Sequence, residues 1–391
     1  MTDRTRCLDA VDTVRRLAPR IAERADAHDR AAIFPVADVD DLRDGGLLGL
    51  MTPERLGGHG AGFGDYVEVA MELAAANGST ALVFNMHSSV VGALASTPDE
   101  LARAMGVPET YFPMRDRVLV AANEGAFYAV AMSERGAGSR LSGITTTYEP
   151  LGDEGFRITG SKSFCSGAGY ADAYLVAARN GDAVSYFLVP SGDGISVDVT
   201  WDPLGMRATG SQDLHLDVVT PRDSLLGGIE GLTLLMAQAM PQWLVASYSA
   251  VYVGVAQSAV DNAAAYARER GLDRLPAVRA RFGRAESAVA AARLVVREAA
   301  RRVDAEPGTS ETNRWIWRAK LLAGETAMTV AASLLEACGT GAMRRGCALE
   351  RIYRDARCGS LQPATSDVCA DWLGLAALGL DPDAHGDVPR W

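Results

Sequence analysis

Apolar residues recur at helical spacing through the first hundred positions, break into short alternating runs in the middle, and return to long helical stretches at the end. In Leu8–Ile21 and Tyr66–Ala76 they follow a 3.6-residue period. Between these segments, Thr52-Pro53-Glu54-Arg55-Leu56-Gly57-Gly58-His59-Gly60 is a glycine-rich loop. From residue 116 the texture changes. Ala173–Ala178 and Ser185–Val189 are short runs rich in β-branched and aromatic residues, set apart by Gly, Asp, Asn and Pro. Gly152–Gly155 and Asn180–Asp182 have the composition of hairpin turns. After residue 228, Leu244–Arg270, Ala277–Val303 and Asn313–Ala337 are long helical stretches with short connections, which suit an antiparallel bundle. The pattern predicts an α+β chain in three units: a helical domain over 1–115, an antiparallel β-barrel or sandwich over 116–228, and a four-helix bundle over 229–391.

Composition narrows the function. With 391 residues, 48% of them apolar and 22% charged, the chain is an ordinary globular protein. A net charge of -11 argues against nucleic acid, whose phosphates need a concentrated basic surface. The basic residues in Arg344–Arg357 are interleaved with Glu350 and Asp355 and read as a paired surface. No run of eighteen apolar residues occurs, so no membrane segment is expected. The N-terminus lacks the apolar core of a secretory signal, and the expected location is the cytoplasm. The six cysteines, Cys7, Cys165, Cys338, Cys347, Cys358 and Cys369, form no CxxC pair and no metal site is expected.

Several motifs occur in an informative order. They are Thr52–Gly60; Ala131-Met132-Ser133-Glu134-Arg135-Gly136-Ala137-Gly138-Ser139; Ile158-Thr159-Gly160-Ser161-Lys162-Ser163-Phe164-Cys165-Ser166; Leu204-Gly205-Met206-Arg207 with Asp217 and Pro221; and Gly339–Arg357. Together they make the chain resemble the acyl-CoA dehydrogenase superfamily over nearly its whole length. The resemblance implies an FAD held between the β-domain and the bundle, partly across the interface of a homodimer or homotetramer. It assigns cofactor contacts to Met132, Ser133, Gly138, Phe164, Cys165, Ser166, Arg270, Glu336 and Gly339. The Ser133 hydroxyl and the backbone N–H groups of its glycine turn suit flavin carbonyls. Phe164 stands where the family usually has a tryptophan beside the isoalloxazine, and Ser166 where it has a hydroxyl near flavin N5.

The departures from the family bear on the chemistry. In Arg354–Asp367, RDARCGSLQPATSD, the position of the family's catalytic glutamate falls on Pro363, and the alternative position on a bundle helix falls near Leu244. Neither side chain accepts a proton, whereas removal of a proton α to a thioester requires a positioned base. Asp367 is the nearest downstream acid and is a candidate base; a solvent-facing carboxylate at a helix N-terminus is the other reading. The usual Phe-Gly pair is absent from Ala267–Asp273, and Glu336 replaces a glutamine, which sets a carboxylate near a diphosphate unless it is paired.

These changes suit reduced FAD arriving from a separate flavin reductase. In oxygenating members of the superfamily, serine and histidine lie near the flavin, so Ser166 and His87 are candidate catalytic groups; a packed helix histidine is the alternative for His87. Ser139, Trp243, Tyr248, Tyr252 and Pro363 are candidate substrate contacts. Two enzymatic functions follow from the resemblance: a reduced-flavin monooxygenase hydroxylating nitrogen or carbon of a small molecule, and a dehydrogenase of acyl groups on coenzyme A or a carrier protein. A flavin-binding interaction protein without activity is the third.

Overall fold

The computed structural model describes residues 3–382, with side chains from residue 9 onward, so Cys7 lies outside the described side chains. Six helices open the chain: α1 (Asp3–Ala31), α2 (Val36–Asp44), α3 (Phe63–Ala76), α4 (Gly78–Ser96), α5 (Asp99–Ala104) and α6 (Tyr111–Asn123). Helix α4 is started by Asn77, whose side chain accepts from Ser79 N at 3.1 Å, and is buried on nearly every face. That is why it lacks an apolar stripe: it is a core helix, packed on α3 and on the β-domain. Helix α6 runs through the division expected at residue 115, and the first strand begins only at Tyr128.

The middle domain contains β1 (Tyr128–Ala131), β2 (Thr147–Pro150), β3 (Phe156–Cys165), β4 (Ala173–Asn180), β5 (Ala183–Pro190), β6 (Ile195–Asp198) and β7 (Gln212–Thr220). The sheet order is β1-β4-β2-β3-β7-β6, with β5 also on β4. The domain is mixed rather than wholly antiparallel: β1 and β2 both pair parallel with β4. Strand β1 is joined to β4 only through the β2–β3 excursion, and a long crossover permits a parallel pair that a hairpin does not.

The C-terminal part has α7 (Leu232–Ala239), α8 (Ala246–Glu269), α9 (Pro276–Ala305), α10 (Ser310–Cys338), α11 (Ala348–Arg357) and α12 (Ser366–Ala377). Helices α8, α9 and α10 pack on one another, while α11 and α12 close on α10. Trp317 of α10 and Trp372 of α12 stack at 5.4 Å. The two helical parts are tied where Asp304, near the end of α9, accepts from the first N–H groups of α3, Phe63 N at 2.7 Å and Gly64 N at 2.8 Å. Contrary to the expectation from run length, Pro241–Glu269 and Ser310–Cys338 are long and apolar enough to cross a membrane. Isolated polar residues such as Gln257 and Lys320 interrupt their apolar runs, and both helices are packed in the bundle.

Candidate active site

Strand β1 leads into Met132 and Ser133 and then a tight turn. Glu134 N donates to Gly138 O at 3.0 Å and Gly138 N donates to Glu134 O at 2.8 Å, with Gly138 at φ +62. The Glu134 carboxylate faces inward and is saturated. It accepts from Thr145 N at 2.6 Å, Thr145 Oγ1 at 2.7 Å, Thr146 N at 3.0 Å and Lys162 Nζ at 2.7 Å. Burial alone would raise this carboxyl, but Lys162 and Thr145 bring it down to about 2. Neither residue was among the expected site residues, although a signal was present. Along β3 the inward positions are Phe156, Ile158 and Lys162, and a lysine on the buried parity of a strand needs an anion.

Beyond Lys162 the β3–β7 register shifts, and Phe164 takes φ +58. This turn throws an aromatic ring outward: Phe164 is 62% exposed and meets Trp201 edge-on at 5.9 Å. Cys165 turns inward, and burial pushes its thiol to about 12. Ser166 is buried in a row of hydroxyls, with Ser166 Oγ to Ser211 Oγ at 2.8 Å and Ser211 Oγ to Thr209 Oγ1 at 2.7 Å, and Thr209 donates to Met206 O at 2.9 Å. Because the row ends on a carbonyl, every hydroxyl in it points its hydrogen toward Met206. Ser166 is thereby left with only lone pairs for another partner.

Two cavities adjoin one another, and Ser166 lines neither. The one beside the glycine turn has about 610 Å3 of space, partly open to solvent, and is lined by Met132, Ser133, Ser139, Phe164, Tyr248 and Pro363, among others. A second chamber of about 1050 Å3, also partly open, lies between α4, α5, α7 and strands β4 and β5. Met105, Met236, Met240, Tyr111 and Tyr186 contribute to its walls. Ser89, Met132, Trp243 and Leu244 line both. The Trp243 indole can sit between them because Gly92 faces it: a Cβ there would lie 2.0 Å from Trp243 Cζ2. No Asp, Glu, His, Lys or Arg lines either cavity among the described residues.

The other expected residues lie elsewhere. His87 lines neither cavity. It is buried, with Nε2 2.8 Å from Leu48 O and Nδ1 accepting from Tyr128 N at 3.1 Å, and burial lowers it to about 4. With both ring nitrogens engaged it holds β1 against the N-terminal helices, which corrects the expectation of a proton-transfer role. Asp367 is likewise corrected: it is exposed in the first turn of α12 and lines neither cavity. Tyr252, fully buried, lines neither cavity and donates to Gln362 Oε1 at 2.6 Å. Arg270, Glu336 and Gly339 are exposed at the ends of α8 and α10, apart from both cavities. There Arg270 sits over the Tyr266 ring, Arg281 Nη1 pairs with Glu336 Oε2 at 2.7 Å, and Gly339 ends α10 at φ +75.

Models of the N-terminal, middle and C-terminal domains of acyl-CoA dehydrogenase match residues 8–106, 129–219 and 233–371. The chain belongs to the acyl-CoA dehydrogenase family. It is an enzyme of the oxidoreductase class. L-evernosamine nitrososynthase of a Micromonospora species is 30% identical over 95% of this chain and 90% of its own. A 3-(aryl)acrylate reductase of Clostridium sporogenes is 28% identical over 91% and 95%. The dibenzothiophene monooxygenase TdsC of Paenibacillus sp. A11-2, solved with FMN and indole, superposes with a TM-score of 0.82 at 27% identity, covering 97% of this chain and 98% of its own. A nitrososynthase, a monooxygenase and a reductase are thus about equally similar to this family member, and the site must separate the chemistries.

Proposed function

We propose that the protein is a flavin-dependent monooxygenase that places one oxygen atom on a nitrogen or carbon of a neutral, largely apolar small molecule. The observation that carries this reading is the absence of any carboxylate, imidazole or amine from the described lining of the two cavities. An α-proton of an acyl thioester would meet no base there, with Pro363 and Leu244 presenting only apolar groups. A charged substrate group would be desolvated without a partner.

The cofactor is a flavin, and the residues fit one. The exposed Phe164 ring and the Ser133 and Ser139 side chains frame a cavity with an apolar face and a polar edge. When bound and reduced, a flavin supplies the two electrons that let O2 deliver one oxygen atom to the substrate and leave the other as water. The chain's own residues then hold the ring end of the cofactor, exclude water with Met132, Trp243 and Leu244, and orient the substrate in the methionine-walled chamber. A flavin reductase supplying the reduced cofactor is part of this reading. So is a second copy of the chain, through which Arg270, Glu336 and Gly339 would reach the adenosine end of FAD; FMN would not need them.

The test is a pair of reactions on one preparation. Under 18O2, with chemically reduced FMN or FAD and a panel of neutral aromatic amines and heterocycles, an oxygenated product carrying one labelled atom is expected. Without O2, butyryl-CoA added to the oxidised holoenzyme is expected to leave the flavin absorbance unchanged. Bleaching by the thioester would replace this reading with an acyl dehydrogenase.

A further inference from the structure

The loop that brings Pro363 to the flavin-side cavity is fastened from beneath by a lysine. Lys320, on α10, is fully buried, and its Nζ donates to Gly359 O at 2.8 Å and Gln362 O at 3.1 Å. These carbonyls belong to the turn that follows α11, where C=O groups lack regular helical partners. Tyr252, fully buried on α8, holds the Gln362 side chain. The contact is too close for side chains. A Cβ on Gly324 would come within 2.7 Å of Gly359 O, and one on Gly359 within 2.8 Å of Tyr252 Cδ1. Pro363, the next residue along, lines the cavity, whereas Lys320 lines neither.

We propose that Lys320 is a positioning residue: by gripping the carbonyls of Gly359 and Gln362 it sets how far Pro363 reaches into the flavin-side cavity. No carboxylate forms an ion pair with its ammonium among the described residues, so the carbonyls are its electrostatic compensation. The titratable and charged groups facing the segment are Tyr252 on α8, Cys369 on α12, and Asp355, Arg357 and Cys358 at the end of α11. Burial pushes Tyr252 upward, Cys358 to about 12 and Cys369 to about 11, so all three stay neutral near neutral pH. Burial also raises Asp355 to about 6, so it is ionised above neutrality.

Burial brings Lys320 down to about 8. An open loop hydrates the amine and returns it toward the ordinary lysine value, so the open state binds the proton more tightly than the docked one. Docking therefore tightens as pH rises through about 8 and weakens as pH falls.

The decisive measurement is amide hydrogen exchange of segment 358–365 in the full chain, corrected for the intrinsic rate at each pH. From pH 7 to 9 the wild-type segment is expected to gain about tenfold in protection, as the proton linkage requires. Lys320→Met, which keeps the volume and removes the donors, should lose about tenfold at pH 9 and show no pH response. Should that variant not fold, Tyr252→Phe should loosen residues 361–363 and keep the pH response. A flat wild-type profile, a Lys320→Met segment with wild-type protection, or a Tyr252→Phe variant with no change overturns the proposal. FMN titration at pH 9 reads the consequence for the cavity: several-fold weaker binding by Lys320→Met is expected, and equal affinity overturns the positioning role. That arm rests on the flavin reading above while the exchange arm does not. Failure of FMN to bind the wild type would sink only the former and leave exchange to decide.

Discussion

Lys162 Nζ lies 2.7 Å from Glu134 Oε1 with both side chains buried, and through this pair the glycine turn is pinned to β3. Removing one member strands the other's charge in the interior, at a cost of about 3–5 kcal/mol. Lys162→Met should therefore lower urea stability by that amount, and Glu134→Gln should behave similarly. The double variant should cost less than the two single changes added together, because they share one interaction. The pH dependence has a definite sign. Glu134 is held at about 2, below its unfolded value, so its contribution is present above that unfolded value and is lost as pH falls toward 2. That depression corresponds to about 3 kcal/mol. Acid titrations of wild type and Glu134→Gln should thus converge in stability near pH 2; parallel curves would refute the pairing.

His87 predicts an acid effect of a different origin. Its folded value of about 4 is depressed by burial, so the folded state resists protonation. The stability this provides is complete above the ordinary histidine value and declines as pH falls toward about 4. His87→Ala would leave Leu48 O and Tyr128 N without their partner and is expected to cost about 2–5 kcal/mol in urea unfolding. Flavin turnover in the wild type should show no limb near pH 6.5 arising from this residue. A limb there that disappears in a folded His87 variant would restore the imidazole to the chemistry.

The parts of this molecule that were legible in one dimension are those determined by local period and turn chemistry. The helical runs ending at Arg270 and Ala337, the strands at Ala173 and Ser185, and the Ser133–Gly138 turn all declare themselves through neighbours in sequence. Met132, Ser133, Ser139, Phe164, Trp243, Tyr248 and Pro363 do come together around one cavity, or its boundary with the next. What escaped depends on distant partners. His87 is held by a carbonyl 39 positions before it and an N–H 41 positions after it, and burial keeps it neutral. Ser166 is oriented by Ser211 and Thr209 from beyond β6. The parallel pairing of β1 with β4 depends on how a long excursion is routed, which no local pattern encodes. Lys162 is the intermediate case: its parity on β3 was visible, but its partner was not.

Phe164 combines exposure with an uncommon backbone conformation, and the two make a testable pair. At φ +58 a bulky residue is strained by about 1–3 kcal/mol, and 62% exposure means its ring adds little core energy. Phe164→Gly should therefore match or exceed the wild-type melting temperature as the flavin-free protein. If the ring covers bound flavin, the same variant should bind FMN about tenfold more weakly, within the range of an aromatic contact. Fluorescence titration with FMN and thermal melts read the two arms. A variant that melts lower while binding FMN normally would make Phe164 a folding residue instead.

Gly92 and Trp243 set the boundary between the two cavities. The indole is held edge-on by Phe63 at 4.8 Å and Tyr66 at 5.4 Å, so a Cβ at residue 92 leaves it little room to retreat except toward the cavities. Overpacking of this kind costs about 1–3 kcal/mol, which Gly92→Ala should show in urea unfolding. Because the displaced ring would intrude on the larger chamber, an uncharged probe such as naphthalene should bind several-fold more weakly, as judged by calorimetry. Trp243→Leu should have the opposite effect on space: it joins the cavities, so bulkier neutral rings gain relative to naphthalene while stability falls by about 1–3 kcal/mol. Naphthalene affinity that is indifferent to both substitutions would place the substrate outside the methionine-walled chamber and remove Trp243 from its selection.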